Sequence, residues 1–549
     1  MHKDSVPTRL YLLFLLLTVF TMWIIPAVSQ SNTDVHLKSK ISYISGENAD
    51  FVSASAVSSI GEIFYLGHTY SHHFIDPLIS DTADRNDSDI FLARWNPENN
   101  TSQLITIIAG NGQDISRDLF IDNNDHIYIV IETNSTNLPV TESDYQARGG
   151  WDGYVIKTDT RGQILNGLYV GGTENDYVHA IYVKNNNLYL VGETRSEDFI
   201  TTDNALIPDC KTVGICNSTN AFIMKLTNDA SGISTEYSSL FGGSEYDSLH
   251  SISVDESNFI HVAGETDSDD IPLSFPTFQQ RSGDFDGILA LFKLDNTDNN
   301  GLIYSSYLGG SQYDSIRKII HTSDGKTLVI GETASDNFPT STNAISKSCA
   351  FGSSRCSNST TPHTDLFITL IDHTDHKVPS YSTLIGGSGN ENPAGVLWYH
   401  EELYIVGETN SPDFPTTRHA TYRELPCLAS CKDSYTGFIL RIDMSLKQSK
   451  GITYASYWLD EGINSLIDVS IDRNDALTLV GNHLSTSERA NPTTIVDSSE
   501  SLFIDTLPNF KPDSLRQEKR GFFGSSYLIE ILGFMIYFRR YPLIRINKF

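Results

Sequence analysis

The chain is poor in cysteine and in positive charge. Its 549 residues hold six cysteines, and 38 Lys and Arg stand against 68 Asp and Glu, which gives a formal net charge of −30 at pH 7. Contacts to nucleic-acid phosphates need clustered cations, so this balance argues against a nucleic-acid partner. The excess of acid favours a soluble surface and leaves cation binding open.

Helical periodicity and catalytic motifs are missing as well. No segment between residues 41 and 508 keeps apolar residues at helical spacing, so that region is expected to be all-β. The chain has no G-x-S-x-G elbow, no H-E-x-x-H motif and no phosphate-binding glycine loop. Catalytic side chains distant in sequence can still converge in a fold. The sequence therefore favours a non-catalytic protein without excluding an enzyme.

A short phrase built on Gly-Glu-Thr recurs along the chain. It reads VGETRSEDF at 191–199, IGETASDNF at 330–338 and VGETNSPDF at 406–414. Seven copies, strong and weak, have these central residues: Gly67, Ile131, Gly192, Gly264, Gly331, Gly407 and Gly481. Each copy lies among short runs rich in β-branched and aromatic residues, bounded by Gly, Asn or Asp. Four such strands per repeat of about 60–76 residues predict a β-propeller with seven four-stranded antiparallel blades.

The order of strands predicts how the ring closes. The strand after each Gly-Gly turn is expected to be innermost, and the Tyr-rich strand before that turn outermost. The last repeat lacks an outermost strand, whereas the array begins with one in residues 41–46. We expect residues 41–46 to complete the seventh blade beside Leu502 to Leu507, so that the two ends of the array are joined.

Several phrases resemble a known family. YSSYLGGSQYD at 304–314, VGETNSPDFPTT at 406–417 and DGILALFKLD at 286–295 are similar to the seven-bladed β-propeller repeat called the SBBP repeat. The resemblance covers nearly all of residues 41–508. It implies a propeller fold and an extracellular or cell-surface location, and it implies no catalytic residues.

The two ends of the chain predict export and anchoring. Residues 1–29 have the basic start, apolar run and small-residue end of a signal peptide, with an uncleaved anchor as the alternative. The propeller is expected over 30–508 and a polar linker over 509–520. Residues 521–538 are predicted to be a transmembrane helix, followed by a short basic tail at 539–549. An amphipathic or buried tail is the alternative for 521–538.

The cysteines fall in close pairs, and their spacings match no zinc module, so local disulfides are expected. The three predicted bridges join Cys210 to Cys216, Cys349 to Cys356, and Cys427 to Cys431. Triplets for N-glycosylation occur at six positions: Asn86, Asn99, Asn100, Asn134, Asn217 and Asn358.

Two acidic positions recur in the repeats. The acid after the Gly-Gly turn is Asp50, Asp114, Asp176, Asp247, Asp314 and Glu391, with Asn464 in the last repeat. The acid of the Gly-Glu-Thr phrase is Glu132, Glu193, Glu265, Glu332 and Glu408. The simpler interpretation is structural, with each carboxylate accepting hydrogen bonds from turn amides and Thr hydroxyls. The alternative is a double carboxylate ring that holds Ca²⁺.

A third position, three residues after the first acid, varies from repeat to repeat. It reads Ser53, Arg117, His179, His250, Arg317, Ala394 and Ile467 in successive repeats. Arg117, His179, His250 and Arg317 should therefore meet near one mouth of the channel. They predict a site for an anionic group or, through the two His, a metal. The alternative is that each cation pairs with a neighbouring acid.

The function predicted from the sequence is a secreted or membrane-anchored binding or adhesion scaffold. Its partner is expected to be an extracellular protein or a glycan, and no cofactor is expected. One alternative is an extracellular polysaccharide hydrolase or lyase with its site at the channel mouth. A second alternative is a structural component of a surface layer.

Overall fold

A computed structural model of the chain describes residues 42–46, 48–71, 87–96, 99, 101–141, 145–216, 218–229, 232–274, 279–294, 301–322, 324–349, 363–372, 379–425, 435–446, 448–458, 462–472, 476–485 and 500–507. All of them belong to one compact unit, Ser39–Phe549. The predicted signal peptide, linker, transmembrane helix and basic tail lie outside the described residues.

The described residues form short strands throughout. The first half of the chain holds β1 (Ser42–Ile44), β2 (Asp50–Val57), β3 (Ile63–Thr69), β4 (Asp89–Asn96), β5 (Thr101–Ile108), β6 (Asp114–Ile121), β7 (Ile127–Thr133), β8 (Asp152–Thr158), β9 (Ile164–Val170), β10 (Asp176–Lys184), β11 (Asn187–Thr194), β12 (Asn220–Asp229) and β13 (Gly232–Phe241). The second half holds β14 (Asp247–Val254), β15 (Ile260–Thr266), β16 (Asp286–Phe292), β17 (Leu302–Leu308), β18 (Asp314–His321), β19 (Thr327–Thr333), β20 (Asp365–Ile371), β21 (Tyr381–Ile385), β22 (Glu391–Tyr399), β23 (Glu402–Thr409), β24 (Thr436–Ile442), β25 (Ile452–Trp458), β26 (Gly462–Ile471), β27 (Leu477–Ser485) and β28 (Glu500–Leu507). A one-turn helix, α1 (Cys210–Val213), and a 3-10 turn at Gln448–Gly451 interrupt them.

In this part of the chain the strands form seven four-stranded antiparallel sheets, which confirms the predicted seven-bladed propeller. Blades 1 to 6 run from β2–β5 to β22–β25 in chain order, and blade 7 contains β26, β27, β28 and β1. The innermost strands β2, β6, β10, β14, β18, β22 and β26 each contact the next, and β26 returns to β2. The ring is therefore closed.

The predicted closure by the first strand is confirmed. β1 pairs antiparallel with β28, with Ser42 opposite Ile504 and Ile44 opposite Leu502. Without β1, the outer edge of the last blade would present unpaired backbone groups. A pairing between residues more than 450 positions apart also ties the first blade to the last.

The turns follow local sequence. In blade 3 the predicted NNN turn joins β10 to β11, and Asn185 and Asn186 adopt φ values of 52° and 64°. Two successive residues in the left-handed region suit a tight hairpin, and Asn tolerates that region better than most residues. The turn therefore fixes the register in which Lys184 faces Asn187.

The core lies between neighbouring blades rather than inside any one of them. One cluster of buried residues joins Val191 and Phe241 of blade 3 to Leu249 and Val262 of blade 4. Similar clusters join blade 1 to blade 2 and blade 5 to blade 6. A single four-stranded sheet cannot bury both of its faces, so each blade depends on its neighbours.

Side chains also join the innermost strands to one another around the channel. Asp468 Oδ2 accepts a hydrogen bond from the Ser55 amide at 2.9 Å, and Asp118 Oδ2 accepts one from the Ile181 amide at 2.9 Å. Each amide belongs to the blade that follows the acid around the ring. The inner edge of a propeller blade has no strand partner, and these carboxylates satisfy its free amides.

One predicted disulfide is present between Cys210 and Cys216, with a Cα–Cα distance of 4.8 Å. Cys349 is also disulfide-bonded, whereas Cys356, Cys427 and Cys431 lie outside the described residues. Of the six glycosylation triplets, Asn99 and Asn134 are described and exposed. Asn86, Asn100, Asn217 and Asn358 are not described. No helix within the described ranges is long and apolar enough to span a membrane.

Candidate functional site

The innermost strand of every blade contains a β-bulge at the same place. In blade 3 the pairing with β11 passes from Val178 directly to Ala180, which leaves His179 without a partner in the ladder. The residues passed over in the seven blades are Ser53, Arg117, His179, His250, Arg317, Ala394 and Ile467. Bulges turn side chains away from the regular alternation. The position singled out by sequence is therefore the position that the backbone sets apart.

The glycine of the Gly-Glu-Thr phrase lies against this bulge. A Cβ atom on Gly192 would lie 1.8 Å from the carbonyl oxygen of Tyr177, and one on Gly264 would lie 1.9 Å from that of Ser248. A side chain at either position would require the bulged strand to shift. Blade 2 has the same bulge with Ile131 at this position, so the bulge alone does not require glycine.

The acids after the Gly-Gly turns are buried structural groups. In blade 3, Asp176 accepts hydrogen bonds from the Thr194 hydroxyl, from the Gly172 amide at 2.6 Å and from the Ser196 hydroxyl at 2.7 Å. The other blades with an acid at this position repeat the amide bond. These contacts agree with the structural interpretation. Burial raises the pKa of Asp176 to about 6 and that of Asp247 to about 7.

The third strand of several blades contributes a further acid that the sequence analysis missed. It is Asp89, Asp152, Asp286 or Asp365, the first residue of that strand. A Cβ atom on Gly171 would lie 2.1 Å from Asp152 Oδ1 and 2.9 Å from Asp176 Oδ2. The two carboxylates thus flank the Gly-Gly turn. The recurrence of Asp before an apolar run, as in DGYVI and DGILA, was the available signal. Among the described residues, no group of three or more His, Cys, Asp or Glu is arranged to hold a metal ion.

Arg117 and His179 meet two glutamates at the mouth of the channel. Arg117 Nη2 donates to Glu132 Oε2 at 2.5 Å. His179 lies between two carboxylates, with Nδ1 3.6 Å from Glu132 Oε1 and Nε2 3.6 Å from Glu193 Oε2. The Arg117 side chain is 43% exposed, whereas that of Glu132 is only 4% exposed. The chain Arg117, Glu132, His179, Glu193 joins blade 2 to blade 3.

Glu193 is held as a carboxylate. Burial alone would raise its pKa, but contacts with His179 and the Tyr246 hydroxyl outweigh burial and lower the pKa to about 2. Tyr246 donates to Glu193 Oε2 at 2.6 Å. Glu193 therefore carries a negative charge at every physiological pH.

These side chains surround an open cavity of about 320 Å³. It is lined by Ile115, Arg117, Glu132, Trp151, Tyr177, His179 and Glu193. Glu132 Oε1 is buried and has no hydrogen-bond partner within the described part of the chain. A buried carboxylate oxygen without a donor is costly, and natural proteins rarely leave one. His179 Nδ1 lies 3.6 Å from this oxygen, which is too far for a hydrogen bond, so a donor from a ligand in the cavity could satisfy it.

The other two predicted residues, Arg317 and His250, belong to a neighbouring network of hydrogen bonds. Arg317 donates to Glu332 Oε1 from Nε at 2.8 Å and to the Tyr313 hydroxyl at 2.9 Å. The Tyr313 hydroxyl in turn donates to Glu265 Oε2 at 2.9 Å. His250 Nδ1 lies 3.4 Å from Arg317 Nη1. Burial lowers the pKa of His250 to about 4, so its ring is neutral at pH 7.

The four predicted residues form one arc, in which the His179 and His250 rings meet edge to face with centroids 5.7 Å apart. Beyond this arc the bulge positions are Ala394, Ile467 and Ser53. Ser53 exchanges a hydrogen bond of 2.6 Å with Ser116. The bulge positions are therefore asymmetric, with titratable residues on blades 2 to 5 and small or apolar residues on blades 6, 7 and 1.

Trp151 and Tyr177 are cavity residues that sequence reasoning did not identify. Trp151 precedes β8, and its backbone is held by a bond from its amide to Asn175 Oδ1 at 3.0 Å and by the Asp176 amide at 2.7 Å. Tyr177 directly follows Asp176, the acid after the Gly-Gly turn of blade 3. Neither position has an aromatic residue in every repeat, so repetition gave no signal, and only the fold brings the two into one cavity.

A family model described as "SBBP: Beta-propeller repeat" matches residues 236–272. That segment runs from the outermost strand of blade 3 through the Gly-Gly turn and β14 into the loop after β15. Together with the seven blades, the match confirms the resemblance inferred from sequence. No curated protein matches the chain.

Solved structures with detectable similarity are distant. A Dyadobacter fermentans DSM 18053 protein of unknown function is 12% identical, with 69% of this chain and 96% of that chain covered at a TM-score of 0.37. The phage phi92 endosialidase is 9% identical, with 85% and 69% covered at a TM-score of 0.37. The β-propeller domain of the trilobed protease from Pyrococcus furiosus is also 9% identical, with 84% and 98% covered at the same TM-score. At these values the similarities carry no argument about function.

Proposed function

We propose that this seven-bladed β-propeller, which matches the SBBP repeat at residues 236–272, is a non-catalytic binding module with its ligand site at the channel mouth between blades 2 and 3. The observation that carries this proposal is the buried, unpartnered Glu132 Oε1 on the wall of an open cavity. Ligand sites are typically concave, with a few fixed polar groups among apolar and aromatic walls. The cavity at Arg117 and His179 has this composition.

The arc of four predicted residues divides into two roles in this proposal. Arg117 and His179 line the cavity and contact the ligand. His250 and Arg317 act as positioning residues, because their polar atoms already contact Glu332, Tyr313 and Ile316. His250 supports the His179 ring through their edge-to-face contact.

The proposed setting is outside the cell, with the propeller secreted or anchored by residues 521–538. The Cys210–Cys216 disulfide supports this proposal, because disulfides persist in oxidising compartments. The partner is proposed to be a glycan or an extracellular protein.

A polysaccharide hydrolase or lyase is the second candidate, and one observation favours it. Glu132 and Glu193 flank His179 within one cavity, and glycoside hydrolysis uses paired carboxylates. A general acid needs a raised pKa, however, and the pKa of Glu193 is lowered to about 2. Product formation on a polysaccharide panel, lost in Glu132→Gln, would favour the enzyme.

The direct test is a thermal melt of the full chain against a panel of neutral glycans, simple anions and organic cations. A ligand at 100 times its Kd stabilises the folded state by about 2.7 kcal/mol. We expect at least one probe to raise the Tm of the parent and of Glu408→Gln, but not of Arg117→Ala. Glu408 is the matched control because it holds the same repeat position as Glu132 in blade 6, away from the cavity.

A flat response in the parent, or equal shifts in all three proteins, would contradict a ligand site at this cavity. Self-association of the parent on purification, without any ligand response, would favour a structural surface-layer component instead.

A further inference from the structure

The unsatisfied groups of the cavity define what a ligand must offer. Glu132 Oε1 needs a hydrogen-bond donor. Arg117 uses one N–H on Glu132 and makes no other hydrogen bond to the described residues, and its side chain is 43% exposed, so its remaining N–H groups are open to acceptors of a ligand. Because the two side chains are paired, the free acceptor and the free donors lie close together. A suitable ligand therefore presents a donor and an acceptor on neighbouring atoms.

The charges of the cavity act against either kind of ion. An anion would meet two carboxylates, those of Glu132 and Glu193, both largely buried, where repulsion is poorly screened. A cation would meet the Arg117 guanidinium beside the same free oxygen. A neutral group that both donates and accepts avoids both penalties, and a hydroxyl is such a group.

Aromatic side chains form part of the cavity wall. Trp151 and Tyr177 line the cavity together with Ile115. The Trp151 backbone is fixed by hydrogen bonds on both sides, so little ordering of this segment is left for binding. A surface of this kind suits the C–H face of a sugar ring. The volume of about 320 Å³ is at the low end of ligand pockets, which favours a short or terminal sugar over a large ligand.

We propose that the cavity binds an uncharged sugar residue of a glycan, an inference that rests on the binding function proposed above. Neighbouring hydroxyls of the sugar would donate to Glu132 Oε1 and accept from Arg117. The C–H face of the ring would lie on Trp151 and Tyr177.

The experiment compares chemical classes on the full chain. Neutral probes are the methyl glycosides of glucose, galactose, mannose and N-acetylglucosamine. Anionic probes are N-acetylneuraminic acid and sulfate, and the cationic probe is tetramethylammonium. Binding is read by Tm and by tryptophan fluorescence, with the variants Glu132→Gln, Trp151→Ala and Glu408→Gln.

We expect a neutral glycoside to bind the parent and Glu408→Gln with equal affinity, and to bind Glu132→Gln and Trp151→Ala at least about tenfold more weakly, a loss of about 1.4 kcal/mol. Ligand-free melts establish that each variant is folded. Should Glu132→Gln fail to fold, Trp151→Ala alone decides, because its side chain lies on the cavity wall.

Binding of only the anions or only the cation, lost in Arg117→Ala or Glu132→Gln, would overturn the sugar proposal and leave the binding function standing. Absence of any binding that depends on these residues would overturn both. Neutral glycosides that bind all variants equally would place the sugar elsewhere on the molecule and also overturn the proposal.

Discussion

Arg117 and Arg317 occupy the same bulge position in blades 2 and 5, and each pairs with the glutamate fifteen residues further on. Around Arg317 the pair is closed by the hydroxyl of Tyr313 and by His250. Around Arg117 the equivalent of Tyr313 is Gln113, and the pair borders an open cavity. The same repeated ion pair is therefore structural in blade 5 and borders a candidate site in blade 2, because its neighbours differ.

The largest difference is expected in stability when each arginine is removed. Arg317→Ala leaves Glu332 buried without its partner and frees the Tyr313 hydroxyl, so the free energy of unfolding should fall by about 3 kcal/mol. Arg117→Ala also leaves a buried carboxylate, that of Glu132, but His179 remains 3.6 Å from it and no tyrosine hydroxyl is freed, so the loss should be smaller, about 2 kcal/mol. Urea unfolding of both variants measures the difference. Equal losses would mean that the two pairs are not distinct.

A tyrosine at position 113 should make the surroundings of Arg117 resemble those of Arg317. In Gln113→Tyr the new hydroxyl can reach Arg117, as Tyr313 reaches Arg317. The amide of residue 113, which bonds Asn134 Oδ1, is unchanged. Affinity for any ligand of the cavity should fall about tenfold, or 1.4 kcal/mol, with no loss of stability. Isothermal titration with a bound probe tests this, and unchanged affinity would show that Gln113 does not keep the cavity open.

A fall in pH should first destabilise the network around His250 and Arg317. Burial lowers the pKa of His250 to about 4, whereas its pKa in the unfolded chain is near 6.5. Between these two pH values the unfolded chain therefore binds a proton that the folded chain does not bind. The contribution of His250 to stability is present above pH 6.5 and is lost as the pH falls towards 4. His250→Gln should have a flatter Tm profile between pH 6.5 and 4 than the parent. An identical slope in the two proteins would exclude His250 as the cause.

The acids after the Gly-Gly turns give the opposite dependence over nearly the same range of pH. Burial raises the pKa of Asp247 to about 7, so between its unfolded pKa near 4 and pH 7 the folded state binds the extra proton. Its contribution to stability is fully present below pH 4 and is lost as the pH rises from 4 to 7. In Asp247→Asn this loss is absent, so the change in Tm from pH 4.5 to pH 7 should be more positive than in the parent. The last repeat carries Asn464 at this position, so an amide is compatible with the fold. The same change in Tm in both proteins would contradict this assignment.

Much of the arc was predictable because the repeats align its members. From the sequence alone, the recurrence of one acid, one glycine and one variable position predicted that Arg117, His179, His250 and Arg317 lie together. Alignment did not reveal that Arg317 and His250 are held by Tyr313 and Ile316, whereas Arg117 borders a cavity. That difference depends on residues of other strands, such as Tyr313 and Trp151, which do not recur in every repeat.

The amino-acid sequence was enough to predict the number of blades, the order of strands and the closure of the ring by β1. These features follow from local strand and turn preferences repeated seven times, so each copy reinforces the others. The position of the cavity, in contrast, follows from the folded ring and could not be predicted. The cavity, the unpartnered oxygen of Glu132 and the aromatic wall arise where side chains from several strands meet, and contacts between distant residues leave no periodic trace in a single sequence.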